Sequence, residues 1–225
     1  MEKINIKELY KNEIDEIWND AKIDNAELIK RGYVVHEEVI KNAILFIGIN
    51  PSFSGKNLTL GSHFVNNEKN DKIYKYFKKF IKISDKVKLQ WTHLDLLYFR
   101  ETRQKYIWEL LKEKNGIEFV NNQLQLSKEM ILKAEPKIIV VSNTMAKHFM
   151  GFDKDKVNNT GVWMDFDFSF DDDLGTYRIT DPQFKGVPVF FTSMLTGQRA
   201  LDNGSFERLV WHINFVLKKL STPNS

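Results

Sequence analysis

The sequence contains no cysteine among its 225 residues. This absence excludes disulfide bridges and metal sites that are made from thiolates, and it favours a reducing compartment such as the cytoplasm. No apolar run approaches the roughly 20 residues that a membrane-spanning helix needs. The charged N-terminal segment also lacks the uncharged apolar stretch of a signal peptide. We therefore expect a soluble cytoplasmic protein with no membrane partner.

The sequence also lacks a strong excess of positive or negative charge. The chain has 33 Lys and Arg residues against 30 Asp and Glu residues, a net charge of +3. This balance permits a polyanionic partner without requiring one. Repeats, Gly/Ser linkers and low-complexity tracts are also absent, so nothing marks a domain boundary. We predict a single domain, and the sequence does not indicate its oligomeric state.

Short apolar runs that alternate with amphipathic segments predict the fold class. Buried strands are predicted in ILFIGI, LQWTHLDLLYF, KIIVV and GVPVFFTSML. Helices are predicted over 5–30, 71–82, 102–114, 119–135, 143–151 and 205–220. Strands separated by helices favour a parallel sheet. We expect an α/β protein, a three-layer α/β/α sandwich around a mostly parallel four-stranded sheet, with a helical extension over 1–35 and an inserted β-hairpin over 161–180.

The first predicted strand runs into the loop GINPS, residues 48–52. Ligands of such sheets bind beyond the carboxyl ends of the strands. Gly48 allows a close approach, and Pro51 presets an extended Asn50. The Asn50 amide oxygen can orient a water molecule, while Ser52 can hold phosphate oxygens. In the alternative interpretation, Asn50 only caps the segment that follows.

Three segments together resemble the uracil-DNA glycosylase superfamily. LFIGINPS is similar to its first motif, especially in the mismatch-specific branch, where the loop reads Gly-Ile-Asn-Pro-Gly. ILKAEPKIIVVSNTMAKHFM and PVFFTSMLTGQR are similar to two later segments in the same order, so the resemblance covers about residues 43–215. It implies an enzyme that flips a damaged or mismatched base out of DNA and hydrolyses its N-glycosidic bond. It implies no metal and no organic cofactor.

The resemblance also implies residue roles. Asn50 would orient the catalytic water, and Phe64, or alternatively Phe53, would stack on the base. Ile49 would line the base site. The family reads the base edge with an Asn at the end of the next strand, where this chain has Asp95 or His93. Ionised Asp only accepts hydrogen bonds, so uracil specificity is in doubt, unless Asp95 is protonated in a dry pocket or only caps a helix.

The last loop departs from the family pattern. Met194 stands where the family has His or Asn, and Met cannot donate a hydrogen bond to a departing base. Ser193 or His63 would have to replace that donor. The DNA backbone would be held by Ser52 and by a group in this loop: Thr196, Gly197, Gln198 and Arg199. We expect the first and last parallel strands to end side by side, with Asn50 and this loop on opposite walls of one cleft.

Three functions remain open at this point. The leading one is recognition and hydrolytic excision of a base in DNA. The others are a catalytically inactive nucleic-acid-binding protein on the same scaffold and a hydrolase of free nucleosides or nucleotides. The lysine-rich helix over 71–82 is either a DNA-facing surface or a solvated helix face. His36, His148 and His212 have no partners at metal-ligand spacing, so no metal site is expected.

Overall fold

The computed structural model describes residues 2–53, 55, 62–65, 71–152, 163–184, 186–197 and 200–222. These residues form ten β-strands and seven α-helices. The strands are β1 (Lys3–Asn5), β2 (Tyr33–His36), β3 (Glu38–Ile40), β4 (Ile44–Gly48), β5 (Ser62–Val65), β6 (Trp91–Asp95), β7 (Ile138–Val141), β8 (Phe168–Asp171), β9 (Thr176–Ile179) and β10 (Pro188–Phe191). The helices are α1 (Ile6–Asn19), α2 (Ala26–Lys30), α3 (Asp71–Val87), α4 (Lys105–Leu110), α5 (Gly116–Ala134), α6 (Thr144–Met150) and α7 (Asn203–Ser221).

The main sheet has six strands in the order β6-β4-β7-β10-β9-β8. The first four are mutually parallel and correspond to the four predicted strands. The predicted sheet of four strands is nevertheless too small, because the hairpin β8-β9 continues it in antiparallel fashion. The hairpin pairs with the free edge of β10, whose backbone N–H and C=O groups would otherwise lack partners. The sheet is therefore mixed.

Strand β7 lies between β4 and β10. The prediction that the first and last parallel strands end side by side is therefore wrong. With neighbouring strands about 4.8 Å apart, the ends of β4 and β10 are separated by about 10 Å at the same edge of the sheet. The carboxyl ends of all four parallel strands still meet at that edge.

The apolar side chains of β4 alternate between two cores. Ile44 and Phe46 pack in one core with residues of α3 and α7. Leu45 and Ile47 pack in the other with residues of α1 and α5. All four are fully buried, which explains why this strand reads as a continuous apolar run rather than an alternating one.

The connection from β4 to β6 and the connection from β6 to β7 pass over opposite faces of the sheet. Helix α3, between β4 and β6, contributes to the first core, and α5, between β6 and β7, contributes to the second. The strand order therefore reverses its direction at the pair β4 and β7. Such a reversal leaves a crevice outside the carboxyl ends of the strands, where ligands of doubly wound sheets bind.

The N-terminal region differs from the predicted helical extension. The helix predicted over 5–30 is interrupted, because the Asn25 side chain accepts a hydrogen bond from the backbone N–H of Leu28 and begins a new helix there. The predicted extension over 1–35 also contains β1 and most of β2. Strand β2 pairs in parallel with β5. None of the described helices has the length and apolar character needed to cross a lipid bilayer.

Replacing Phe46 with Ala tests the packing of the first core. The Phe46 ring is fully buried and is stacked on Phe80 with ring centroids 4.3 Å apart. We expect Phe46→Ala to lower the free energy of unfolding by about 3–5 kcal/mol. Urea denaturation measures this loss, with Leu9→Ala as the control because Leu9 is 43% exposed. A loss no larger than that of the control would contradict the packing described.

Candidate functional site

The glycine of the GINPS loop leaves space for a carboxyl group. Gly48 pairs with Asp95 across β4 and β6. A Cβ atom at position 48 would lie 2.2 Å from Asp95 Oδ1 and 3.1 Å from His93 Nε2. The φ angle of Gly48 is not among the positive values in the chain. Space for the Asp95 carboxyl, rather than backbone conformation, therefore requires glycine here.

Asp95, His93 and His36 form a row of three polar side chains beside Gly48. The Nδ1 atom of His93 lies 2.7 Å from His36 Nε2, so one of the two rings donates a hydrogen bond to the other. The Nε2 atom of His93 faces Asp95 Oδ1 at 3.8 Å. His36 belongs to β2, a strand that sequence periodicity did not predict.

Aromatic rings of α3 cover this row. The ring centroids of Tyr76, Phe77 and Phe80 lie 5.9, 5.3 and 5.5 Å from that of His93. The side chain of His93 is 2% exposed, whereas that of Asp95 retains 14% of its surface. The Asp95 side chain is therefore more accessible than that of His93.

Burial sets the protonation of the row. It raises the pKa of Asp95 from 3.8 to about 7, because the charged carboxylate loses its hydration. Burial, and then the neighbouring His36 ring, lowers the pKa of His93 well below its ordinary value. Near neutral pH, His93 is uncharged and Asp95 is present in both its protonated and its ionised form.

The same three side chains are the candidate metal ligands in the part of the chain that the structure describes. One donor atom from each of His36, His93 and Asp95 lies within 4.8 Å of the other two. A metal ion needs ligand lone pairs that converge on one point. His93 instead turns one ring nitrogen to His36 and the other to Asp95, and these two nitrogens point in different directions in the ring plane, so its single lone pair cannot face both neighbours. The three side chains form a row in which one hydrogen bond joins His36 to His93, and Asp95 lies beyond hydrogen-bond distance of the other His93 nitrogen.

Asn50 is fixed by its amide nitrogen. Nδ2 donates to the backbone carbonyl of Glu101 at 2.6 Å, to that of Pro51 at 3.0 Å and to that of Phe99 at 3.4 Å. These contacts join the loop after β4 to the loop after β6. No described donor contacts Oδ1, so this oxygen is the amide atom that remains to accept a hydrogen bond from a ligand or a water molecule.

The predicted base-binding residues lie in different surroundings. Ile49 is 5% exposed and is part of the second core. Phe64 lies on β5, half-buried, with its ring edge-to-face against Tyr33 at 6.1 Å. Phe53, the alternative, is half-buried in the loop after β4. The Arg31 guanidinium stands 4.4 Å from the Phe53 ring centroid.

The loop after β10 is held by one buried side chain and one backbone hydrogen bond. Leu195 is 2% exposed in the first core, and the backbone N–H of Leu201 donates to the carbonyl of Met194 at 2.9 Å. Ser193 is exposed and Thr196 is half-buried. Gly197 has a φ of 93°, a left-handed value that favours glycine. Gln198 and Arg199, predicted to contact DNA, lie outside the described residues.

Three lysines of α3 are engaged by the C-terminal part of the chain. Lys79 donates to the carbonyl of Leu201 at 3.2 Å. Lys82 and Lys86 form ion pairs with Glu207 of α7 at 3.0 and 2.5 Å. These three side chains therefore fasten α3 to α7, which favours the interpretation of a structural surface over one that faces DNA.

Two cavities lie away from the row. One, of 660 Å³, lies between α1 and α5 and has mainly acidic and amide walls, including Glu13, Asp20 and Glu118. The other, of 370 Å³, lies between the hairpin, β10 and α7 and includes Tyr177 and Arg208. Neither has Asn50 or Asp95 in its wall.

The unusual protonation of Asp95 has a consequence for stability. Because its pKa is about 7 in the folded protein and 3.8 ordinarily, the folded state holds a proton that the unfolded state releases between those pH values. The contribution of Asp95 to stability is therefore largest at low pH, falls as the pH rises from about 4 to about 7, and is level above that. We expect this contribution to amount to at most roughly 4 kcal/mol.

Urea unfolding of the wild type and of Asp95→Asn at pH 4.5, 6 and 8 measures the contribution of Asp95 to the free energy of unfolding. The variant, which cannot titrate at this position, should gain stability relative to the wild type as the pH rises. Asp85→Asn, at an exposed position of α3, is the matched control and should follow the wild type. A difference between Asp95→Asn and the wild type that is constant with pH would contradict the raised pKa.

A double-mutant cycle tests the contact between Gly48 and Asp95. Gly48→Ala should cost about 1–3 kcal/mol of unfolding free energy, because the new methyl group overlaps the carboxyl. In an Asp95→Ala background the same change should cost at least 0.5 kcal/mol less, roughly the smallest coupling seen between touching residues. Equal costs in both backgrounds would show that the carboxyl does not occupy this space.

Comparison of the chain with protein-family models and with curated proteins finds no match. A functional interpretation therefore depends on the chemistry and geometry of its own residues. The arrangement that those residues offer is an acceptor oxygen on Asn50 and a partly protonated carboxyl on Asp95, at the ends of two adjacent parallel strands.

Proposed function

We propose that this protein recognises a nucleobase in DNA and hydrolyses its N-glycosidic bond. One observation carries the proposal. The amide of Asn50, within a GINPS loop that resembles the first glycosylase motif, is held by its nitrogen, and no described donor contacts its oxygen; Asp95 ends the neighbouring strand, opposite Gly48. The strand order supports a ligand site at this edge of the sheet.

The finer fold assignment belongs to the same proposal. Helices line both faces of the sheet, in two separate cores. This arrangement supports a three-layer α/β/α sandwich of the uracil-DNA glycosylase-like type. In this interpretation the hairpin β8-β9 is an addition at one edge of a parallel four-stranded centre.

The proposed chemistry uses the two strand ends differently. As the bond between the sugar and the base opens, the sugar becomes positively charged and the base negatively charged. The Asn50 oxygen accepts a hydrogen bond from the attacking water and so fixes its position. An amide cannot take up the proton of that water near neutral pH, so its role is orientation. Asp95 faces the edge of the base.

The surroundings of Phe53 support contact with a nucleic acid. The guanidinium groups of Arg31 and Arg100 lie 4.4 and 5.3 Å from the centre of its ring. Arg31 is ion-paired with Glu101 at 2.8 Å and Arg100 is buried, so these groups hold the Phe53 ring, and the ring itself is the part that suits base stacking. In this proposal Phe53 replaces Phe64 as the preferred stacking residue, since Phe64 packs against Tyr33.

A hydrolase of free nucleosides is the second candidate. It is favoured by the ion pairs of Lys82 and Lys86 with Glu207, because these lysines are then less available to a DNA backbone. The small net charge of +3 points the same way. The reacting bond and the roles of Asn50 and Asp95 would be unchanged.

Excision assays test the proposal and separate the two candidates. Duplex and single-stranded oligonucleotides that carry uracil, hypoxanthine, xanthine or a mismatch are incubated with the protein, in parallel with the corresponding free nucleosides. We expect release of at least one base from an oligonucleotide. Asn50→Ala should slow that release at least about 100-fold, because the water is no longer positioned.

Asn122→Ala is the matched control, since this asparagine is exposed on α5. It should retain wild-type activity. Circular dichroism of Asn50→Ala shows whether the lost loop contacts alter the fold. Release from nucleosides alone would favour the second candidate, and the absence of release from every substrate would refute both.

A further inference from the structure

The row of His36, His93 and Asp95 contains a buried nitrogen without a hydrogen bond. His93 Nε2 has no partner among the described residues, and its nearest oxygen is Asp95 Oδ1 at 3.8 Å. A buried polar atom without a partner lowers stability, so it needs an explanation, and a role in function is one such explanation. The question is which interaction this nitrogen serves.

The hydrogen bond to His36 sets the tautomer of His93. A neutral imidazole carries one N–H, and the contact made by one nitrogen decides where that proton lies. If His36 Nε2 donates to His93 Nδ1 across their 2.7 Å contact, the proton of His93 lies on Nε2. It then points toward Asp95 Oδ1. The reverse tautomer would place a lone pair against the carboxyl, which is unfavourable whenever Asp95 is ionised.

This arrangement gives the two carboxyl oxygens of Asp95 different roles. Oδ1 lies beside His93 Nε2 and against Gly48. Oδ2 is left to carry a proton toward a ligand. When that proton is given away, the negative charge that remains on the carboxylate gains the N–H of His93 as a partner, although His93 itself stays neutral.

We propose that Asp95 is the general acid that protonates the departing base, and that His36 and His93 are positioning residues that support the resulting carboxylate. This inference rests on the proposed N-glycosidic hydrolysis. It also supplies the donor that Met194 cannot provide from the loop after β10. A raised pKa of about 7 is suited to this role, because a general acid is most effective when its pKa is near the working pH.

The step balances with water as the only co-reactant. The bond between C1′ of the sugar and the base nitrogen breaks, and its electron pair goes to the base. The Asp95 proton moves to a base oxygen or nitrogen conjugated with that nitrogen. The water oxygen bonds to C1′, and the water loses one proton to the solvent. Asp95 recovers a proton from the solvent, so the products are the free base and a sugar hydroxyl.

The charged and titratable groups around Asp95 are few in the described part of the chain. His93 lies on the same strand, His36 is behind it on β2, and Tyr76 approaches from α3. Strand β4 contributes only Gly48 at this point. Burial and then the charge of Asp95 raise the pKa of the Tyr76 phenol, so Tyr76 stays neutral over the working range.

Single-turnover excision from pH 5.5 to 9 tests this role on the full chain, with the oligonucleotide that the wild type cuts best. The wild-type rate should be level at low pH and fall about tenfold per pH unit above a midpoint near or above pH 7. Asp95→Asn should be about 100-fold slower or more at pH 6 and independent of pH. Asp95→Glu should restore a decline at high pH, since it restores an acid.

His93→Gln separates positioning from structure. It should shift the midpoint of the pH profile while leaving a decline in place, a change that simple loss of folded protein would not cause. His148→Gln is the matched control on α6 and should leave the profile unchanged. Urea unfolding of each variant shows that the compared proteins are folded.

Each result bears on the inference. Excision with a wild-type rate that stays level up to pH 9, or Asp95→Asn activity within tenfold of the wild type at pH 6, overturns the acid role and leaves the proposed function intact. Excision with the predicted profile supports both. The absence of excision by every form overturns the proposed function, and with it the acid role, because no base departs.

Discussion

The contact between the Asp95 carboxyl and the bare Cα of Gly48 is the constraint on which the site depends. A side chain at position 48 would overlap the carboxyl, so the glycine of GINPS and the aspartate of β6 form one unit across two strands. That contact puts the carboxyl at the carboxyl-terminal edge of the parallel strands, on β6, which neighbours the strand β4 where the strand order reverses. The same oxygen, Oδ1, lies 3.8 Å from His93 Nε2, which makes the imidazole pair part of the same arrangement.

This arrangement lowers stability, because it places polar, titratable groups in an apolar environment. A carboxyl and two imidazoles lie among the aromatic rings of α3, where charged groups lose hydration. The protein accommodates them by keeping His93 neutral and by holding Asp95 near half-protonation around neutral pH. Groups whose pKa values are shifted in this manner are concentrated at functional sites. Three backbone carbonyls accept hydrogen bonds from Asn50 in the adjacent loop.

Much of the framework could be read from periodicity, and the failures have identifiable physical causes. The four parallel strands were found because strands buried on both faces are continuous apolar runs, as in IIVV of β7. Strand β2 was missed because its four residues pair with the equally short β5 rather than with the main sheet. The hairpin was found, but its union with the edge of β10 depends on hydrogen bonds between distant parts of the chain. His36 was accordingly given no partner.

Local pattern alone established the α/β class, the parallel strands, the GINPS loop, and Asn50 and Asp95 as polar groups at strand ends, because each depends on residues close together in the chain. Only the folded arrangement decided that β7 separates β4 from β10, that His36 meets His93, and that Gly48 makes room for a carboxyl. These facts depend on strand order and on contacts across 47 or more positions, as between Gly48 and Asp95. The spacing of residues along the sequence does not show which distant residues meet, whereas burial and strand register determine these contacts in the folded protein.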